Sequence, residues 1–127
     1  MVKLKDTAAV ALGAGLGSAC RLSLGAWVGV TVWPFATLMA NLLGSLLIGW
    51  LAIVSQPGGR YPMPAWQQQF WLTGFCGGFT TFSLFSFELL QLYSAASYGA
   101  AGSYLLLTVI GGCCCCYLGM RLAQRPE

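Results

Sequence analysis

Apolar residues run almost unbroken through four stretches of this chain, 7–32, 36–54, 66–92 and 98–122, and the polar punctuation between them is brief. A bilayer core of about 30 Å needs about 20 apolar residues per helix, so the pattern predicts four membrane-spanning helices joined by short turns. Pro34 marks the first turn. Residues 55–64, SQPGGRYPMP, form the only clearly polar loop, with prolines and glycines that stop a helix and Arg60 facing water. A turn region from Tyr93 to Gly102 leads into the last stretch.

Within these stretches the polar and small residues recur at helical spacing. Gly13, Gly17, Arg21, Gly25 and Gly29 step by four along the first, which allows another backbone to pack closely. Arg21 is costly inside a membrane and either faces a partner or wet cavity or snorkels to the headgroups. Thr37, Asn41 and Ser45 make a polar stripe on the second helix, and Tyr104, Thr108 and Gly112 share a face of the fourth. The Asn41 amide offers two donors, to a neighbouring helix or to an anion.

The third stretch contains the run Gly77-Gly78-Phe79-Thr80-Thr81-Phe82-Ser83-Leu84-Phe85-Ser86. A glycine pair weakens a helix there, and a break at 77–81 would release carbonyls at membrane depth, ready to bind a cation. Phe82 and Phe85 share a face beyond it. Ring edges carry positive charge and can hold an anion, although an aromatic stripe also suits ordinary packing. Glu88 is the only acid within the predicted spans, a functional carboxylate or a residue near the wet end.

Composition agrees with the hydrophobic pattern. The 127 residues are 57% hydrophobic and only 7% charged, against about 25% in soluble domains, with mean hydropathy +0.73. A net charge of +3, thinly spread, leaves no footprint for nucleic acid. Cys20, Cys76 and Cys113 to Cys116 all lie in apolar segments. Consecutive helical residues point about 100° apart, so the four adjacent thiols fan out rather than converge on a metal. The fragment Gly17-Ser18-Ala19-Cys20 has a lipoprotein-like look, but apolar sequence continues to Trp33, which indicates a retained first span with Trp27 and Trp33 near an interface. No nucleophile, metal box or phosphate loop suggests an enzyme.

Four fragments together resemble the Fluc fluoride channel family, also called CrcB. They are Gly13-x-Gly15-x-Gly17-x-x-x-Arg21, Thr37-Leu38-x-x-Asn41, the run from Gly74 through Gly77, Gly78, Thr80 to Phe82, Ser83, Phe85, Ser86 and Glu88, and Tyr104 with Thr108. The resemblance covers nearly the whole chain, and its third fragment is the most specific. It implies an all-α membrane protein of four transmembrane helices with a broken third helix, assembled as an antiparallel dual-topology homodimer in the bacterial inner membrane. Two fluoride pores would run along the dimer interface. Phe82 and Phe85 would line the pore, Asn41 would donate to fluoride, Tyr104 and Thr108 would form a polar track with Ser83 and Thr81 nearby, and Arg21 would draw anions into the vestibule. Backbone carbonyls of Gly77 and Thr80 would hold a structural sodium ion (Na+) with those of the partner. The sequence departs from the family pattern at Leu84, Ala36 and Gly112, where threonine, glycine and serine are common.

The charge distribution complicates this assembly. Lys3, Lys5, Arg60, Arg121 and Arg125 gather on one predicted side, which favours a single orientation and keeps a heterodimer with an oppositely inserted relative as an alternative. Two other functions fit a short membrane bundle. A small dual-topology proton-coupled exporter needs a deep carboxylate, for which Glu88 is the sole candidate. A non-conducting structural subunit would not need Asn41, a broken helix and paired phenylalanines together.

Overall fold

A computed structural model describes residues 3–124; Arg125 and Glu127, noted above in the basic tail, lie outside them. Helix α1 spans Leu4–Val28 and α2 spans Phe35–Val54. Helix α3 covers 65–79 in three contiguous windings, Ala65–Gln68, a π-helical Gln69–Cys76 and Gly77–Phe79. After a break come α4, Ser83–Ser94, and α5, Tyr98–Ala123. The described residues are all-helical with connecting turns. Three of these helices, α1, α2 and α5, are long and apolar enough to cross a membrane.

Helix α1 stops at Val28, short of the 7–32 stretch that hydropathy marks. Gly29 takes φ 79°, a left-handed conformation that glycine adopts readily, and its N–H closes on Gly25 O at 3.0 Å. Trp33 then turns inward, 5.4 Å and nearly edge-on from Tyr104, while Trp27 remains 81% exposed. In the 55–64 loop the Gln68 amide donates to Ser55 O and Met63 O, both at 3.0 Å, tying the loop to the start of α3.

The helices associate as two pairs, each with its members running in the same direction. In the first pair, Gly13 and Gly17 of α1 lie against the backbone of Phe70, Gly74, Phe75 and Phe79, while Gly74 and Gly78 of α3 lie against Val10 and Ala14. The second pair joins α2 to α5, with Gly49 on the Cys116 backbone and Gly119 on Leu46 and Trp50. Small residues remove the side-chain layer between crossing helices, so backbones meet directly. Of the glycine stripe on α1, only Gly13 and Gly17 serve this packing; Gly15 and Gly25 face open space.

The π-helical winding has no signal in the hydrophobic pattern, and such geometry persists where surrounding packing sustains it. The core is small. Phe85, Leu92, Ala101 and Tyr104 form one cluster, and Leu51, Val54 and Cys76 another. Many large apolar side chains point outward, among them Leu12, Leu22, Leu106, Val109, Ile110 and Leu118. An apolar exterior around a thin core is the arrangement expected when lipid or another chain replaces water. This is a membrane protein.

Candidate functional site

The site grows out of the break between α3 and α4. Thr80 is extended, at φ −85° and ψ 160°, so the helical ladder cannot continue through it. Asn41, buried on α2, faces the break and clamps it at two points. Its Oδ1 accepts from Thr81 N–H at 2.8 Å and its Nδ2 donates to Thr81 O at 3.0 Å. The Thr81 hydroxyl accepts in turn from Leu84 N–H at 3.2 Å and lies 3.4 Å from the Ser83 hydroxyl.

These side chains change which backbone groups are satisfied. In an unbroken helix the N–H groups of Thr81 and Leu84 would close on the carbonyls of Gly77 and Thr80. Here both N–H groups are held by side-chain oxygens, and among the described residues the two carbonyls take no hydrogen bond. The remaining carbonyls are treated differently. Gly78 O accepts from Ser18 Oγ and Arg21 Nε, each at 3.3 Å, and Cys76 O accepts from the Thr80 hydroxyl at 2.8 Å. Arg21 therefore reaches the break, not Glu88. A pair of released carbonyl oxygens is a suitable donor set for a hard cation.

Packing supports the same geometry. A Cβ on Gly44 would clash with Thr80 Cγ2, so glycine at that position lets the break sit against α2. Sequence reasoning missed Gly44 and Ser18, whose spacing carries no signal of its own. It also missed Gly74 as the partner of the α1 glycines, although Gly74 and Gly78 stand four apart in plain view.

Phe82 begins the next segment, 79% exposed, and its ring lies 5.8 Å from that of buried Phe85. Phe85 rests in turn on Tyr104, with centroids 5.1 Å apart. The two phenylalanines stand between two open grooves. One, about 640 Å³, is lined by Asn41, Ser45, Thr80, Thr81, Thr108 and Gly112, with Gly77 at the break. The other, about 660 Å³, is almost wholly apolar and runs between α4 and α5 past Leu89, Leu105 and Tyr98. Thr108 Oγ1 is buried and, among the described residues, has no hydrogen-bond partner.

Tyr104 does not line the first groove. It is fully buried, and its hydroxyl donates to Glu88 Oε2 at 2.7 Å while the Thr37 hydroxyl donates to Oε1 at 2.9 Å. Glu88 thereby ties α2, α4 and α5 together, beside a pocket of about 410 Å³ near the turn between α1 and α2. Ser83 is exposed at the start of α4. The structure thus gathers Asn41, Thr80, Thr81, Phe82, Phe85, Thr108 and Gly77 at one groove, and sets Tyr104 behind Phe85 and Arg21 behind the break.

The cysteines divide by position. Cys113 lines the first groove, Cys116 lies at the α2 crossing, and Cys114 is exposed on α5.

Residues 8–120 match the family model described as CrcB-like protein, Camphor Resistance (CrcB). The chain belongs to this family. Among its relatives, a protein of Opitutus terrae named fluoride-specific ion channel FluC is 37% identical over 113 residues, 87% of this chain and 86% of the relative. Proteins of the same name from Bordetella petrii and Leptospira interrogans are 40% and 43% identical, covering 76% and 74% of this chain and 73% and 75% of their own lengths. The match to this CrcB-like chain takes in the Asn41 clamp, the break and the groove, since all of their residues fall within 8–120.

Proposed function

We propose that this CrcB-like chain is a passive fluoride channel that lets fluoride leave the cell across the bacterial inner membrane. Residues 65–94, broken once, serve as a further membrane pass beside α1, α2 and α5. Two copies pack antiparallel and line two pores. The observation that carries the reading is the meeting of Phe82 and Phe85 with Asn41, Thr81 and the unpartnered Thr108 hydroxyl at one groove.

Fluoride is small and holds water strongly, so a pore must replace that water with converging donors and polarised ring edges. Asn41 spends one amide hydrogen on Thr81 and keeps the second for the ion. Phe82 and Phe85 supply ring edges, with Ser83 and Thr81 hydroxyls beside them. Tyr104 backs Phe85 and fixes Glu88, so it supports the wall from behind. Arg21 keeps a positive charge close to the break and draws anions towards it.

The carbonyls of Gly77 and Thr80 would hold sodium together with the partner's equivalent pair. Bound there, the ion supplies a fixed positive charge that ties two breaks together. Their release from the helical ladder supports that role.

Liposomes loaded with fluoride or chloride and read by ion-selective electrodes test the reading. Rapid fluoride efflux with negligible chloride efflux is expected; equal rates for the two ions, or no fluoride efflux from folded protein, would reject it. Phe82→Ile and Phe85→Ile are each expected to lower fluoride efflux by about tenfold or more while the dimer survives, since an aliphatic chain lacks the ring-edge charge. Unchanged rates in both would return these rings to packing.

A second reading of the assembly is favoured by charge, since Lys3, Lys5, Arg60 and Arg121 lie on one predicted side. Tags on the termini, probed from both membrane faces in cells making only this chain, should report both orientations for a homodimer. A single orientation would replace the homodimer with a heterodimer.

A further inference from the structure

We infer that Ser45 is an additional fluoride-binding donor in this chain, placed one turn beyond Asn41 and facing the groove opposite Gly112. The inference rests on the channel reading and adds a ligand to it.

Three serines in the other helices spend their hydroxyls on their own helix, and Ser18 spends its hydroxyl on Gly78 O of α3. Ser23 donates to Ala19 O at 2.9 Å, Ser86 to Phe82 O at 2.8 Å and Ser103 to Ala100 O at 3.0 Å. Back-bonding of this kind is the default for a serine inside a helix. Ser45 does not follow it: among the described residues its Oγ makes no hydrogen bond, although it lines the groove beside Asn41 and Thr108.

Its surroundings come from the parallel pairing of α2 with α5. Gly111 faces Leu42 and Gly112 faces Ser45, and a Cβ built on Gly112 would stand 3.5 Å from Ser45 Oγ. That spacing is ordinary van der Waals contact, so the Ser45 hydroxyl faces the groove directly opposite residue 112. One turn away on α5, Thr108 Oγ1 is buried and also unpartnered. Buried polar groups in folded proteins are almost always paired, so an orphan hydroxyl at a groove marks a place that a ligand completes. With the second Asn41 hydrogen, these two hydroxyls give three donors on facing helices and no fixed positive charge. A hydroxyl can turn its hydrogen towards a passing anion. Such donors suit an ion that must bind strongly enough to lose water and weakly enough to leave.

Efflux from liposomes carrying the full chain tests the inference with fluoride itself as probe. Ser45→Ala is expected to lower fluoride efflux by about tenfold, the effect of losing a hydrogen bond to a charged group, with an unchanged melting temperature. Ser45→Cys, which keeps the volume and weakens the donor, is expected to fall as well. Gly112→Ser should then restore most of the flux in the Ser45→Ala background, since the 3.5 Å spacing admits its side chain and returns a hydroxyl from the opposite helix. Wild-type flux in Ser45→Ala or Ser45→Cys overturns the inference. So does a deficit that Gly112→Ser fails to repair when Gly112→Ser alone conducts normally. A wild-type chain that passes no fluoride rejects the channel reading itself, whereas normal wild-type flux with indifferent Ser45 variants rejects only the added donor.

Discussion

Replacing Asn41 by alanine is expected to abolish fluoride flux, and to do so by repairing the break. The substitution removes both hydrogen bonds to Thr81, at 2.8 and 3.0 Å, in a buried position on α2. Each backbone group left without a partner costs about 1–3 kcal/mol, so the broken conformation loses about 2–6 kcal/mol relative to any state that re-pairs them. Such a state is close at hand. The freed Thr81 N–H can close on Gly77 O and add a turn to α3, withdrawing a carbonyl from the groove and swinging Phe82 out of place. The loss therefore exceeds that of one missing anion donor, and efflux should drop by at least about a hundredfold. Asn41→Asp separates the two roles, because it keeps an acceptor for Thr81 N–H and loses the donors. It should retain more of the break yet conduct no better. Fluoride efflux and protection of the Thr81 amide against hydrogen exchange report on the pore and the backbone separately. Wild-type efflux in Asn41→Ala would show that Phe82 and Phe85 hold their places without the clamp.

Gly17→Ala is expected to destabilise the fold severely while Gly15→Ala is tolerated, although both change glycine to alanine in one helix two residues apart. A Cβ at Gly17 would press into Phe75 O and stand 2.8 Å from Phe79 N. Both obstacles are backbone, which cannot swing aside as a side chain can. Overpacking of this kind costs about 1–3 kcal/mol or more, and here it would also lever α3 away from Ser18 and Arg21, the two donors to Gly78 O. At Gly15 nothing lies within 4 Å of the new methyl group. Alanine there should be neutral or stabilising by about 0.5–1 kcal/mol through better helix propensity. Thermal melting and yield of the detergent-solubilised protein compare the variants. Equal melting temperatures would mean that α1 and α3 do not meet through their glycines.

The two experiments probe features of different legibility. Gly13 and Gly17 could be read as a close-packing face from spacing alone, but their partner could not. Nor could the idleness of Gly15 and Gly25 be foreseen, because a helical stripe says which residues share a face and not what lies opposite. Asn41 shows the same division. Its place on a polar stripe and its two donors were visible, whereas its engagement with both sides of one peptide unit depends on α2 crossing at the level of the break. Ser45 stood in that stripe without distinction until its hydroxyl proved to be unspent beside Gly112.

Glu88 is a further case. As the only acid within the predicted spans it could be read as a functional carboxylate or as a residue near the wet end, with no partner assigned. The fold sends Arg21 to Gly78 O and surrounds the carboxylate with hydroxyls from Thr37 and Tyr104. Hydrogen bonds from neutral groups stabilise a carboxylate without bringing two charges together.

By itself the sequence determined that this is an apolar helical protein, that its third stretch is interrupted near 77–81, and that phenylalanines and hydroxyls crowd the residues beyond. These are properties of composition and helical period, which belong to each segment alone. The structure keeps Gly77 and Gly78 helical and breaks at Thr80. Only the tertiary structure decided which carbonyls the break releases. That outcome depends on competition for the Thr81 and Leu84 N–H groups, which Asn41 and the Thr81 side chain win because α2 passes close enough, over Gly44, to present an amide there.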